Sequence, residues 1–378
     1  MLYQLSYSRS FRLVGAAGLE PATSWSQTTR ASKLRHAPPP VFYRKYAPRS
    51  TQGLTPCASN LSTQTAFMPT GSHKFDIVMV GDVNVDIVFA GLRRLPGLGT
   101  EELAADLDFR GGGSVSNCAC AAAALGLRVA MQGAVGNDPF GDYMVQHLAR
   151  RGVDVGGIRR LDDVKTGATV ALSLPRDRAL ATYLGSIAAL KPEHLDSSLL
   201  SRARHFHLGS YFLLHGLRGS FGRVFSEAKQ AGLTTSLDLG WDPDQKWNGE
   251  LNHLLPLVDV LLPNEEEAAN ITGLSSPEQA ALALAEKCRV AAVKRGEQGA
   301  LACSAGEIVR QPAFAVEVAD TTALGDCFNA GFLLAWLEER PLDQCLRYGN
   351  ASAAIAAARL GDARYASRDE VEALLLES

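Results

Sequence analysis

Apolar and polar positions divide this chain into two kinds of text. Residues 1–72 show no sustained period of 2 or 3.6. From Phe75 onward, short apolar runs alternate with helical periodicities. Residues 76–81, Asp-Ile-Val-Met-Val-Gly, suit a buried parallel strand ending in Gly. Asn84 and Asp86 follow, where a strand's carboxyl end could show them to a ligand; a polar turn fits the same residues. Residues 87–110 read as short strands of a small sheet, and the glycines from Gly111 to Gly113 precede an Ala-rich helix that begins near Asn117. Residues 165–186 read as a hairpin with Val170, Leu172 and Leu174 alternating, a turn at Pro175-Arg176-Asp177-Arg178, and a return over 180–184. From His205, strands and helices alternate, which predicts a parallel sheet covered by helices. Within that part Asp238 ends a strand, Asn264-Glu265-Glu266-Glu267 opens a helix, and Lys294, Gly296 and Gly299 follow a strand. A small-residue helix near 348–352 carries Asn350.

The most informative stretch is 314–338. Phe314, Val316 and Val318 alternate as in a strand, residues 320–326 form a polar turn, and Phe328, Phe332, Leu333, Trp336 and Leu337 recur at helical spacing. A strand, tight turn and helix in that order present unpaired amides and the positive end of a helix dipole. Such a helix start binds phosphate without a cationic side chain. Asp326 sits at the same place, either as a reacting carboxylate or as an ordinary helix cap.

Charge changes the picture at the amino terminus. Residues 1–72 hold eight Lys or Arg and one acid, Glu20, so the remainder carries 29 basic against 39 acidic residues. An acidic main body argues against nucleic acid as a partner. No run of about 18 apolar residues exists, so no membrane span is expected. The seven Cys lie scattered with no C-x-x-C pair, which fits reduced thiols in the cytoplasm. Residues 1–72 are expected to be a leader outside the folded body: a reading frame extended upstream of Met68, a transit peptide or a disordered tail. The stretch 15–38 resembles peptides obtained by translating the antisense strand of a transfer-RNA gene.

The turn before Asp326 resembles the signature of the ribokinase-like (PfkB) carbohydrate kinases, Asp-Thr-x-Gly-Ala-Gly-Asp before a hydrophobic helix; here Ala323 and Leu324 replace the commoner Gly and Ala. Four further segments match that family in order and spacing over roughly residues 75–370: Gly81 with Asp86, Gly112-Gly113 with Asn117, Asn264 with Glu267, and Lys294 with Gly296 and Gly299. The resemblance implies a three-layer α/β/α sandwich over 73–378, with a mostly parallel sheet and a small β-sheet lid near 87–110 and 164–185. It implies Asp326 as general base and the amides of Ala323, Leu324 and Gly325 as an anion hole. Asn84, Asp86, Gly112, Gly113 and Asn117 would bind the sugar; Asn264, Lys294, Gly296, Gly299 and Asn350 would lie on the ATP side. Glu267 would act on Mg²⁺ through water, and Asp320 with Thr322 would hold a monovalent cation, often K⁺. The expected activity is ATP-dependent phosphorylation of a hydroxyl, a primary one, on a sugar or sugar-like molecule. A nucleoside kinase or a non-catalytic ligand-binding relative are the alternatives. A homodimer formed through the lid is also expected. A Walker-type loop is absent, which excludes a P-loop kinase.

Overall fold

Strand β1 (Ile77–Val80) shows why the molecule has three layers. Its side chains alternate across the pleat. Val78 and Val80 enter one apolar cluster, Ile77 and Met79 the other, and all four are fully buried. A strand buried on both faces needs helices on both sides of its sheet. The computed structural model describes residues 73–174, 178–247 and 250–377; the expectations for residues 1–72 and for a turn at Pro175-Arg176-Asp177 lie outside the described residues.

After β1 come β2 (Asn84–Ala90), β3 (Asp106–Gly112), α1 (Ser114–Ala124), β4 (Val129–Gly136), α2 (Pro139–Arg150) and β5 (Asp154–Leu161). Next are β6 (Gly167–Ser173), β7 (Arg178–Tyr183), α3 (Ser186–Ala189), β8 (His205–Leu208), α4 (Phe221–Gln230), β9 (Thr234–Leu237) and α5 (Leu251–Leu254). The chain continues through β10 (Val260–Leu261), α6 (Glu265–Thr272), α7 (Pro277–Ala285), β11 (Val290–Lys294), β12 (Ala300–Ser304) and β13 (Glu307–Gln311). It closes with α8 (Leu324–Leu337), α9 (Leu342–Ala357) and α10 (Arg368–Leu376). The large sheet has nine strands in the order β13-β12-β11-β10-β9-β8-β1-β4-β5. From β11 to β5 every pairing is parallel, and the antiparallel β12 and β13 finish one edge. Helices α4 and α7 pack on the Val78 side through Phe225 and Leu284; α1, α8 and α9 pack on the Ile77 side through Ala119, Phe332 and Leu346. The ribokinase-like α/β architecture expected from the sequence is the one observed.

The four-stranded lid has the order β3-β2-β6-β7. Asn84 and Asp86 lie inside β2 and not in a turn, because Asn84 pairs with Gly112 on one side and Gly167 on the other. A second expectation fails at 314–318, which forms no strand. Strand β13 already closes the sheet edge, and the chain beyond it turns away toward α9. There Ala319 N and Asp320 N donate to Ala357 O at 2.7 and 3.2 Å. Phe314, Ala315, Val316 and Val318 instead form a wall of a cleft, with Val318 52% exposed.

Helix α8 crosses α9 closely at Gly331, where an added Cβ would lie 2.4 Å from Tyr348 O and 2.9 Å from Ser352 Cβ. Neither a backbone carbonyl nor a packed serine can yield cheaply. Gly331→Ala is expected to destabilise the protein by about 1–3 kcal/mol in denaturant unfolding, as overpacking a filled interface does.

Candidate active site

Helix α8 begins without a side-chain cap. Ala323 precedes it in the left-handed region (φ 61°, ψ 16°), a conformation that disfavours any residue with a Cβ. This explains the glycine more usual there. Asp326 is the third residue of the helix, yet its carboxylate does not cap the helix. Ser114 Oγ donates to Asp326 Oδ1 at 2.5 Å, and Asn117 Nδ2 donates to Oδ2 at 3.2 Å. Both donors stand on one face of α1, three residues apart. Tyr365 Oη in turn donates to Asn117 Oδ1 at 2.9 Å, which fixes the amide with its nitrogen toward Asp326. The start of α1 is held by Asp82, whose two oxygens accept from Ser114 N and Val115 N at 2.9 Å.

Asp326 borders a polar chamber of about 320 Å³ that also meets Asp238, Asn264, Glu267, Lys294 and Gly325. Burial pushes Asp326 up to about 7; Asp238 adds to the shift, and the Ser114 hydrogen bond and Lys294 oppose it. Glu267 is likewise pushed up to about 7 by burial and by Asp238. Burial also acts on Asp238, but Lys294, His207 and Asn329 outweigh it and hold that carboxyl below the usual range. Lys294 Nζ donates to Asp238 Oδ2 at 3.1 Å and to Asn329 Oδ1 at 3.3 Å. The same ammonium is 3.6 Å from where a Cβ on Gly325 would stand, so a fixed cation adjoins the first amides of α8. Asn264 and Glu267 form a reciprocal helix cap on α6, at 2.9 and 2.8 Å. One face of Glu267 is thus committed to structure while the residue still lines the chamber. Among the described residues no group of three His, Cys, Asp or Glu could hold a metal directly. The oxygen donors Glu267 and Asp238 fit Mg²⁺, which keeps most of its water and takes one or two carboxylates.

A second, more apolar cleft of about 380 Å³ shares Lys294, Gly296 and Gly325 with the chamber and runs between Phe314, Val316, Phe328 and Asn350. Gly299 and Leu324 line it too. Leu324 therefore turns its bulk to this cleft and not into the chamber. Asn350 Nδ2 donates to Gln311 O and Pro312 O at 3.2 and 2.9 Å, holding the segment that walls the cleft.

On the lid side, Asn84 Nδ2 donates to Asp86 Oδ1 at 3.2 Å. A Cβ on Gly112 would fall 2.1 Å from that same oxygen, and Gly113 has φ 93°, so both positions require glycine. Burial pushes Asp86 up to about 6, with Arg110 opposing. Asp320 and Thr322 do not fit the monovalent cation that the resemblance implies. Arg110 donates to Asp320 Oδ2 at 3.0 Å, Arg364 lies 3.6 Å from the same oxygen, and Arg364 Nη1 donates to Thr322 O at 3.1 Å. Guanidinium groups already occupy the oxygens a cation would need. The sequence reading did not single out Asp82, Ser114, Arg110, Arg364 or Tyr365. Only Ser114 carried a signal, its helical spacing from Asn117.

Asp326 in the folded protein holds its proton more tightly than in the unfolded chain. Its contribution to stability is therefore complete at low pH and is lost as pH rises toward about 7. Asp326→Asn should gain about 1–3 kcal/mol over the parent at pH 8 and almost nothing at pH 4, read from denaturant midpoints at the two pH values.

The family profile described as pfkB family carbohydrate kinase matches residues 74–367. The chain is 31% identical over 304 residues to an ATP-dependent ribose-1-phosphate kinase of Halopiger xanaduensis, covering 80% of this chain and 98% of that protein. It is 31% identical to a 2-dehydro-3-deoxygalactonokinase of Haloferax volcanii over 292 residues, 72% of this chain and 90% of the other. Among solved structures, Arabidopsis thaliana ribokinase complexed with ribose and ATP superposes with a TM-score of 0.70 at 26% identity, over 80% of this chain and 98% of that one. With a lid, an uncapped helix start and a recessed carboxylate where those motifs fall, this chain belongs to the pfkB family of carbohydrate kinases.

Proposed function

We propose that this kinase transfers the γ-phosphoryl group of ATP to a hydroxyl, a primary one, of a sugar or sugar derivative, with Asp326 as the general base. The observation that carries the reading is the Asp326 carboxylate itself. It is held by two neutral donors beside an uncapped helix start and pushed up to about 7, where it can accept a proton near neutral pH. In this reading the alcohol attacks the γ-phosphorus in line and passes its proton to Asp326 Oδ. The amides of Ala323, Leu324 and Gly325 take up charge on the transferred oxygens, with Lys294 beside them. The transition state is loose, so positioning and charge stabilisation outweigh base strength. Mg²⁺ when bound would neutralise phosphate charge, held through water by Glu267 and Asp238. The apolar cleft bounded by Phe314, Phe328 and Asn350 suits the adenine, with Gly296 and Gly299 giving backbone access on the ATP side. Asn84, Asp86, Gly112, Gly113 and Asn117 are assigned to the acceptor. At Asp320 and Thr322 we assign the positive charge to Arg364 in place of K⁺. Six buried free cysteines among the described residues support a reducing, cytoplasmic setting. No described helix is long and apolar enough to cross a membrane.

The test is Asp326→Asn under saturating acceptor and ATP. Turnover should fall by about 10²–10⁴, the worth of a positioned base, while affinities stay within a few-fold. The parent's rate should rise with pH up to about 7 and then level, and the variant should lose that dependence. Turnover within about threefold of the parent would remove Asp326 from the mechanism, whereas a parent that binds ligand without any turnover would favour the non-catalytic reading. A panel of sugars and nucleosides separates the sugar kinase from the nucleoside kinase.

The lid supports a homodimer as well. Strand register puts Ile87, Phe89, Leu107, Phe109, Val170 and Leu172 on one face of it, with Leu107 60% and Phe109 40% exposed. An apolar sheet face of this kind seeks a partner, and a second copy offers the same face. Leu107→Glu should shift the protein from dimer to monomer in light scattering at micromolar concentration. A parent that scatters as a monomer would count against the proposal.

A further inference from the structure

The hydroxyl hydrogen-bonded to the proposed base belongs to the protein itself. Ser114 is the first residue of α1, and its Oγ donates to Asp326 Oδ1 at 2.5 Å. An acceptor alcohol that gives its proton to Asp326 must stand in the same relation to that carboxylate. Ser114 is half-buried and borders the polar chamber with Lys294, Gly325 and Asp326. Among the described residues lining the chamber, it alone carries a hydroxyl. Lys294 is no rival nucleophile. Burial works against its charge, but Asp238 and Glu267 outweigh burial and hold the ammonium protonated above its ordinary range. Ser116, two residues on, faces elsewhere: its Oγ donates to Asp82 O at 2.8 Å and is buried.

A nucleophile within hydrogen-bond reach of a base, with a third group orienting the base, is the arrangement of covalent catalysis. Ser114 Oγ, Asp326 and Asn117 fill those three places. Asp82 pins the Ser114 amide at 2.9 Å, so the serine is held at the carboxylate. On the kinase reading, the γ-phosphate rests on the amides of Ala323, Leu324 and Gly325, immediately before Asp326. Charge also favours a phosphate on Ser114. It would stand at the positive end of α1, a helix of 11 residues, in a chamber that Lys294 borders. Asp326, pushed up to about 7 by burial, would keep the serine's proton and add no negative charge beside it. Asp82 opposes the phosphate, but two α1 amides already offset that carboxylate.

We propose that Ser114 is a modification site, which the protein phosphorylates from its own ATP when no acceptor is bound. This rests on the kinase reading for the position of the γ-phosphate. Ser114 Oγ attacks the γ-phosphorus, and the Oγ–P bond forms as the bond to the oxygen bridging the β- and γ-phosphorus breaks. The serine proton passes to Asp326, and ADP leaves with the electron pair. A bound acceptor takes the serine's place at Asp326 and receives the phosphoryl group instead. Once phosphorylated, Ser114 no longer donates its hydroxyl to Asp326, and its phosphate occupies the chamber. The modification therefore switches off acceptor turnover in a protein left with ATP alone.

The experiment incubates the full chain with Mg²⁺ and ATP labelled in the γ-phosphate, with and without a panel of sugars and nucleosides. Peptide mass mapping then locates the label. In the parent without acceptor, label should accumulate on Ser114, and any acceptor that is turned over should slow it at least tenfold. Mapping the parent directly makes this result independent of how any variant folds. Ser114→Ala should lose the label at least tenfold, and Ser114→Thr, which keeps a hydroxyl, should retain it. Asp326→Asn should lose it by about 10²-fold or more, as removal of a positioned base does. Acceptor turnover after preincubation with ATP should fall in step with the label. ADP and inorganic phosphate released with no label on Ser114, or label on another residue, would overturn the inference. Label undiminished in Asp326→Asn, or full acceptor turnover by the labelled protein, would overturn it too. Acceptor turnover with no label at all defeats the inference and leaves the kinase reading intact. Label on Ser114 with no acceptor turned over sustains the inference and defeats the small-molecule kinase reading. Neither label nor turnover overturns both.

Discussion

A carboxylate that must stay inside protein without a cation of its own is the constraint around which this structure is arranged. Among the described residues Asp326 has two neutral hydrogen-bond donors and no direct ion pair. Two hydrogen bonds from a hydroxyl and an amide satisfy the oxygens without fixing the charge, so the group remains able to exchange a proton. Each donor needs support in turn. Ser114 is placed by Asp82 gripping the first amides of α1, and Asn117 is oriented by Tyr365 from a distant part of the chain. The cation that could have quenched Asp326, Lys294, is instead paired with Asp238 and Asn329. That pairing keeps positive charge close to Gly325 while leaving Asp326 basic.

Much of the architecture was legible because the large sheet is buried on both faces. Runs such as Ile77 to Val80 and Val290 to Val293 have few alternatives to a central parallel strand. The helix after Asp326 was legible for a similar reason, since Phe328, Phe332 and Leu333 must all face the sheet. Legibility failed at 314–318, where Phe314, Ala315, Val316 and Val318 line a cleft and pair in no ladder. Local pattern cannot distinguish the two arrangements, because both place apolar residues along an extended segment. It failed also at Asn84 and Asp86, whose polar character hid a strand; Asp86 shares its face of the lid with the polar Arg110 and Thr169.

The site divided along the same line. Residues marked by glycines or by a helix start, such as Gly112, Gly113 and Asp326, could be found from spacing. Partners that act from far away in sequence could not. Arg110 and Arg364 meet at Asp320 across long stretches of chain, and nothing in the residues around either one announces the meeting. The resemblance to the family even pointed the other way, toward a bound cation at Asp320 and Thr322. The guanidinium groups explain the difference: they supply positive charge covalently attached to the chain.

The sequence separations across the site have a consequence for how the protein comes into being. Ser114 and Asp326 are 212 residues apart, Asn117 and Tyr365 are 248 apart, and Arg110 and Asp320 are 210 apart. Contacts so distant close large loops, and they form late because the entropy of closure is lost before the contact repays it. A ribosome would have to release nearly the entire chain before Asp326 met its two donors. Until then the carboxylate would be solvated and of ordinary acidity, so a half-made chain could possess the lid and the first strands before Asp326 acquires its raised proton affinity. The environment of this buried carboxylate is thus completed only when distant parts of the chain have come together.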